Sequence, residues 1–176
     1  SPNPFTNTRP YRQELKLGDG QVVISAGDAT LRVFVDADAP VIYVVGQGKT
    51  PRAVTATWES WRTSKRVLAG EELASSWTMQ AAPAGIEVWE SADIVTHSPP
   101  DAVLAYHRNA YSVVPLTLKH QGLESLASLA PDPLLHRTFG GTIEGDGLTP
   151  VSPMQLASTT PSRTTRVLIT LHTTPF

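Results

Sequence analysis

The stretch TLRVFVDA, residues 30–37, shows the period on which this chain is built. Leu31, Val33 and Val35 fall on one side of an extended backbone, while Arg32, Phe34 and Asp36 fall on the other. That is the two-residue repeat of a strand whose second face is only partly wet. The same signature, rich in Val, Ile, Thr, Tyr and Trp and bounded by Gly, Pro, Asp or Asn, recurs in YRQELKL (11–17), QVVISA (21–26), PVIYVVG (40–46) and AVTATW (53–58). It returns in GIEVWE (85–90), AVLAYH (102–107), RTFGGTIEG (137–145) and TRVLITLHT (165–173), so about nine strands are expected. LGDGQ at 17–21 has the Asp-Gly of a tight hairpin, which pairs the first two strands antiparallel.

One helix is expected against this background. QGLESLASLA, residues 121–130, sets Leu123, Leu126, Ala127 and Ala130 at helical spacing, and Pro131 stops it. Fifteen prolines and twelve glycines are spread along the chain and argue against long helices. The fold class read from these signals is an all-β antiparallel sandwich with one short helix, a single domain over residues 1–176. A chain of this length can bury roughly 70% of the surface its unfolded form exposes.

Composition narrows the function classes. A net charge of −2 with no basic stripe predicts no nucleic-acid partner. Apolar runs such as PVIYVVG fall far short of the ~20 residues that cross a bilayer, so no membrane partner is expected. The N-terminal SPNPFTNTRP lacks the basic-then-apolar order of a signal peptide. There is no cysteine, which excludes disulfides and thiolate metal sites.

The five histidines, His97, His107, His120, His136 and His172, show no metal-ligand spacing, and Asp36 and Asp38 in VDADAP lack the rest of a calcium loop, so neither metal nor cofactor is expected. SAGDA and EGDGL read as turns, and no serine sits in a nucleophile elbow. Glu59, Glu87, Glu90, Asp93 and Asp101 could act in pairs in glycoside chemistry, but no spacing selects two of them. No catalytic residue is nominated.

Two clusters carry binding chemistry. WESWRT (58–63) puts Glu59 and Trp61 on one face of an extended segment, Trp58 on the other, and Arg62 next: a flat apolar ring beside polar hydrogen-bonders suits a sugar. The competing reading, which the sequence favours, places both tryptophans in the core with Arg62 covering them. In VLAYHRN (103–109) alternation sends Leu104, Tyr106 and Arg108 to one side and Val103, Ala105, His107 and Asn109 to the other, so the four polar residues split into two pairs. Either pair fits a structural hydrogen bond as well as a ligand role.

Several stretches together carry a resemblance: PNPF (2–5), RQELKLGDGQVVI (12–24), LRVFVDADAPV (31–41), YHRNAYSVVPLTLKHQGLES (106–125) and DPLLHRTFGGTIEGDGL (132–148). They resemble the N-terminal β-sandwich of proteins related to glycoside hydrolase family 95, the α-fucosidase-like enzymes, and specifically domain of unknown function 5703. The resemblance implies a supersandwich fold like that of galactose mutarotase, a carbohydrate partner, and an extracellular or periplasmic setting. Tyr106 to Asn109 and the block from Arg137 to Gly140 match that domain's recurrent blocks, so Arg137 joins Glu59, Trp61, Arg62, Tyr106, His107, Arg108 and Asn109 as candidate substrate-binding residues. In similar enzymes the catalytic carboxylates come from a following helical (α/α) barrel, and nothing in these residues reads as one. The opening strands usual in such domains, with a Gly-Asn-Gly-like turn, are not found before Ser1, which implies a part or a shortened version of the domain. The function expected is therefore an accessory, carbohydrate-associated domain of a glycoside hydrolase-like protein, non-catalytic on its own. A stand-alone carbohydrate-binding module, a docking domain and, last, a small hydrolase using His107 or a carboxylate pair are the alternatives.

Overall fold

The computed structural model describes residues 3–6, 10–74, 79–81, 84–129 and 131–174. Its strands are β1 (Arg12–Lys16), β2 (Gln21–Ala26), β3 (Ala29–Val35), β4 (Val41–Arg52), β5 (Thr55–Thr57), β6 (Arg66–Val67), β7 (Trp89–Glu90), β8 (Ile94–Thr96), β9 (Val103–Arg108), β10 (Thr138–Gly145), β11 (Leu148–Ser152), β12 (Gln155–Ser158) and β13 (Ser162–Thr174). The fold is all-β and sandwich-like. The chain gathers into two compact units, the first from residues 1–59, 95–105 and 140–172, the second from residues 60–94, 106–139 and 173–176.

In the first unit, β1 to β4 follow one another across a sheet that continues through β13, β10, β9 and β8, of which residues 140–145, 103–105 and 95–96 of the last three belong here. The alternation that opened the sequence sets the register. Val33 faces Val22 on β2 and Val44 on β4, and Val44 in turn faces Val167 on β13, so one row of branched side chains crosses four antiparallel strands. A second sheet, ordered β11, β12, β5, lies over part of this face. Between the two sit the buried Val103, Ile143, Leu148, Leu156 and Val167, with Val44, Ala56, Trp58, Val95 and Ile169 packed against them. This is a sandwich-like core, apolar side chains of two sheets meeting between them.

The small sheet covers only part of the larger one. Leu15 and Val35, on the same face as Val33 by register, are each 64% exposed, and Val41 to Val45 on β4 are half-buried on both faces. The outer edge, β1, alternates Arg12, Glu14 and Lys16, with Glu14 paired to both cations. Antiparallel pairing of two such edges about Glu14 would oppose like charges, so the edge is guarded.

Three turns are built as their sequences suggest, with one difference. Asp36 Oδ1 accepts the backbone N–H groups of Asp38 and Ala39, closing the β3–β4 turn, and Gly147 takes a φ of 66° between β10 and β11. The β1–β2 hairpin forms, but Leu17 to Asp19 make a single 3₁₀ turn and only Gly20 is left-handed, at φ 63°. The Asp-Gly pair thus ends a four-residue loop instead of forming a two-residue one.

The second unit holds the short β6–β7 ladder, helix α1 (Glu71–Ala74) and helix α2 (Val114–His120). The helix expected at 121–130 is displaced. Pro115 sits in the first turn of α2, where its fixed φ favours a helix and its missing N–H costs nothing, and Ser112 Oγ accepts the Val114 N–H. Gly122 at φ 71° then ends the helix, leaving Glu124–Leu129 as an exposed 3₁₀ run; Ala130 lies outside the described residues.

Candidate functional site

The second unit contains a polar cluster centred on Asp93, one of the five carboxylates that spacing could not distinguish. Its backbone N–H donates to the Arg62 carbonyl at 2.8 Å, which clips the segment after Trp58 against the segment entering β8. Three side chains then converge on its carboxylate. Ser60 Oγ donates to Oδ2 at 2.6 Å, Arg62 Nε to Oδ1 at 2.7 Å, and His107 Nδ1 to Oδ1 at 2.9 Å. Side-chain exposure is 10% for Asp93, 18% for Arg62 and 8% for His107, so these are charge-assisted bonds formed largely out of water. Burial alone would raise the Asp93 pKa, but the bonds from Ser60, Arg62 and His107 outweigh it and hold the carboxyl below the ordinary range. Asp93 is therefore an ionised anchor.

What the anchor holds is aromatic. The Arg62 guanidinium carbon lies 4.8 Å from the Trp61 ring centre and 5.6 Å from that of Phe139. Phe139 also meets the His107 ring at 5.3 Å in a tilted contact. Trp61 itself is 80% exposed, the guanidinium on one face of its indole. Such cation–π contacts contribute about 0.5–1 kcal/mol at exposed sites. His107 also lines a hollow of ≈170 Å³, with Trp89, Asn109, Tyr111, Ser112 and Leu134 among others. Trp89 and Tyr111 stack there at 4.9 Å, with Lys65 Nζ 4.1 Å from the Trp89 ring centre.

Of the residues singled out by sequence, Trp61, Arg62 and His107 come together. Alternation along β9 holds: Val103, Ala105 and His107 are buried, while Tyr106 is half-buried and Arg108 exposed on the opposite face. Arg108 uses its carbonyl to accept Ser91 Oγ. Asn109 is committed to the chain, its Nδ2 donating to the Leu134 carbonyl and its N–H to that of Arg137, so it braces the loop that leads to β10. Glu59 is exposed and belongs to the first unit, whereas Trp61 and Arg62 belong to the second. The two tryptophans of WESWRT part company: Trp58 packs on the sandwich core and Trp61 faces solvent.

Asp93, Ser60 and Phe139 were not foreseen as members. Asp93 meets its partners from 33, 31 and 14 residues away, beyond any local period. The one sequence signal was the RTFG block, which carries Phe139 beside Arg137.

Chemically, the cluster presents a ring with one free face, a guanidinium fixed at its side, and a buried imidazole whose Nδ1 proton is tied to a carboxylate. Ser60 bonds Asp93 and not His107, so the serine is not activated by the imidazole.

A family model described as Domain of unknown function (DUF5703), N-terminal part, matches residues 1–175. No curated protein matches the chain.

Proposed function

The chain belongs to the DUF5703 N-terminal domain family, and from that premise we propose that it is a non-catalytic, carbohydrate-associated β-domain whose contact with the sugar is made on Trp61. The observation that carries this reading is the exposed Trp61 indole, held from behind by a guanidinium that is itself anchored on Asp93. An aromatic ring left in water on one face and fixed on the other offers a pyranose an apolar plane without an ordering cost at the moment of binding. The resemblance to the N-terminal sandwich of family-95-like glycosidases supports the carbohydrate context. Asp93, ionised and satisfied by three donors, suits positioning better than proton donation, which supports a non-catalytic role.

Calorimetric titration with a panel of neutral and charged oligosaccharides tests the proposal. Weak binding to at least one, lost in Trp61→Ala while the far-ultraviolet spectrum and unfolding midpoint are retained, is the expected result. Binding that survives Trp61→Ala would overturn it.

A second reading, docking onto a companion domain such as a helical barrel, draws support from the uncovered sheet face around Leu15 and Val35. Sedimentation of the chain alone over a wide concentration range tests it: self-association relieved by Val35→Lys is expected, and a strictly monomeric chain that binds no apolar dye would contradict it.

A further inference from the structure

From the Arg62 guanidinium we infer that the platform selects an anionic glycan, a uronate-bearing oligosaccharide with one ring on Trp61 and a carboxylate on a neighbouring unit at the terminal edge of Arg62. The inference rests on the proposed sugar platform and adds the ligand's charge. Arg62 has five N–H donors, and among the described residues only the Nε donor is spent, on Asp93 Oδ1. Among the described residues no acceptor meets Nη1 or Nη2. In a planar guanidinium the edge formed by these two nitrogens lies opposite Nε, so it points away from Asp93, and an anion placed there meets the cation first.

The surroundings make that edge selective. Trp61 and Phe139 lie against the guanidinium at 4.8 and 5.6 Å, and its side chain is 18% exposed. The two rings keep water from around the guanidinium carbon, which leaves the Nη nitrogens as the route for hydrogen bonding. The Nε bond to Asp93 and the rings together fix its plane, so little rotamer entropy remains to be lost when a planar, two-oxygen group binds in the fork. A carboxylate matches that fork; a neutral hydroxyl can use only part of it.

The test compares short oligogalacturonates and oligomannuronates with their methyl esters, which keep the size and ring faces but remove the charge, using the whole chain in calorimetry. At least one acid is expected to bind about tenfold or more tighter than its ester, with affinity falling as salt rises. In Arg62→Gln that preference should shrink to about twofold or less. Arg62→Lys, which keeps charge and loses the fork, should fall between. Equal binding of acid and ester by the wild-type chain would overturn the inference and leave the platform standing. Binding of neutral oligosaccharides alone would do the same. No binding by any acid, ester or neutral sugar would remove the platform and this inference together. The ligand-side comparison does not depend on how well the Arg62 variants fold.

Discussion

Replacing Asp93 with Asn removes one charge and almost no volume, so it isolates the anchor from the packing around it. Wild-type Asp93 accepts from Ser60, Arg62 and His107. Hydrogen bonds to charged groups contribute about 1.5–3 kcal/mol each, and removing one member of a buried ion pair costs about 3–5 kcal/mol because the partner charge is left behind. The remaining exposure of Arg62, 18%, and the one amide oxygen that still accepts argue for the lower end, about 3 kcal/mol. For a domain of this size each kcal/mol moves the melting temperature by about 2–4 °C, so a drop of about 6–12 °C is expected. Urea unfolding followed by tryptophan fluorescence would measure the free-energy loss, and thermal unfolding followed by circular dichroism the shift in melting temperature. Arg62→Gln alone should be milder, and the Asp93→Asn/Arg62→Gln pair should lose clearly less than the sum of the single changes, by about 1 kcal/mol or more. If Asp93→Asn costs under about 0.5 kcal/mol, the level of an ordinary surface change, or if the two changes simply add, Asp93 is not what holds Arg62 and the platform has another support.

The Asp93 carboxyl is held below its unfolded value, so its contribution should be full above about pH 4 and lost as the pH falls below it; the stability gap between wild type and Asp93→Asn should therefore close in acid, as followed by unfolding midpoints across pH. Leu156, 0% exposed in the sandwich core, should cost about 2–5 kcal/mol when cut to Ala, read by urea denaturation. Gly46→Val should destabilise by about 1–3 kcal/mol, since a Cβ there would stand 2.6 Å from Thr165 Cγ2. Trp61→Ala should change stability by no more than about 1 kcal/mol, because the ring is largely in water and loses only its contact with Arg62.

The sheet was legible wherever side chains alternate over five or more residues. Leu31, Val33 and Val35 read as one face, and the register of β3 against β2 and β4 places them so. The strands β11 and β12 were not legible, although they supply Leu148 and Leu156 to the core. Pro150 and Pro153 make that stretch read as loop, yet β11 is the edge of its sheet, and its pairing with β12 shifts register between Pro150 and Ser152, where a proline costs no essential ladder bond. Helix α2 was hidden for a different reason. Val113 at its N-cap and Val114 and Leu116 within it look like strand residues, and only Ser112, whose Oγ takes the Val114 N–H, and Pro115 in the first turn point the other way.

The site was half legible. Alternation put His107 with Val103 and Ala105 and separated it from Tyr106 and Arg108, as the structure has it, and the structure adds that this face of β9 is the buried one. The partner of His107 was not legible, because hydrogen bonds between segments 14 and 31 residues apart leave no trace in periodicity. Trp61 was misassigned to the core for a related reason: a lone tryptophan carries no sign of whether its neighbour will be buried under it or fixed behind it, and here the Asp93 bond decides that Arg62 stands behind the ring.

The role of Trp61 is tested most directly by nuclear magnetic resonance of the indole N–H groups while an oligosaccharide is added. Trp58, packed on the sandwich core, serves as the internal control. A sugar that stacks on Trp61 should shift the Trp61 indole resonance progressively and saturably and leave that of Trp58 in place. A bound sugar that leaves the Trp61 resonance unmoved would contradict the platform.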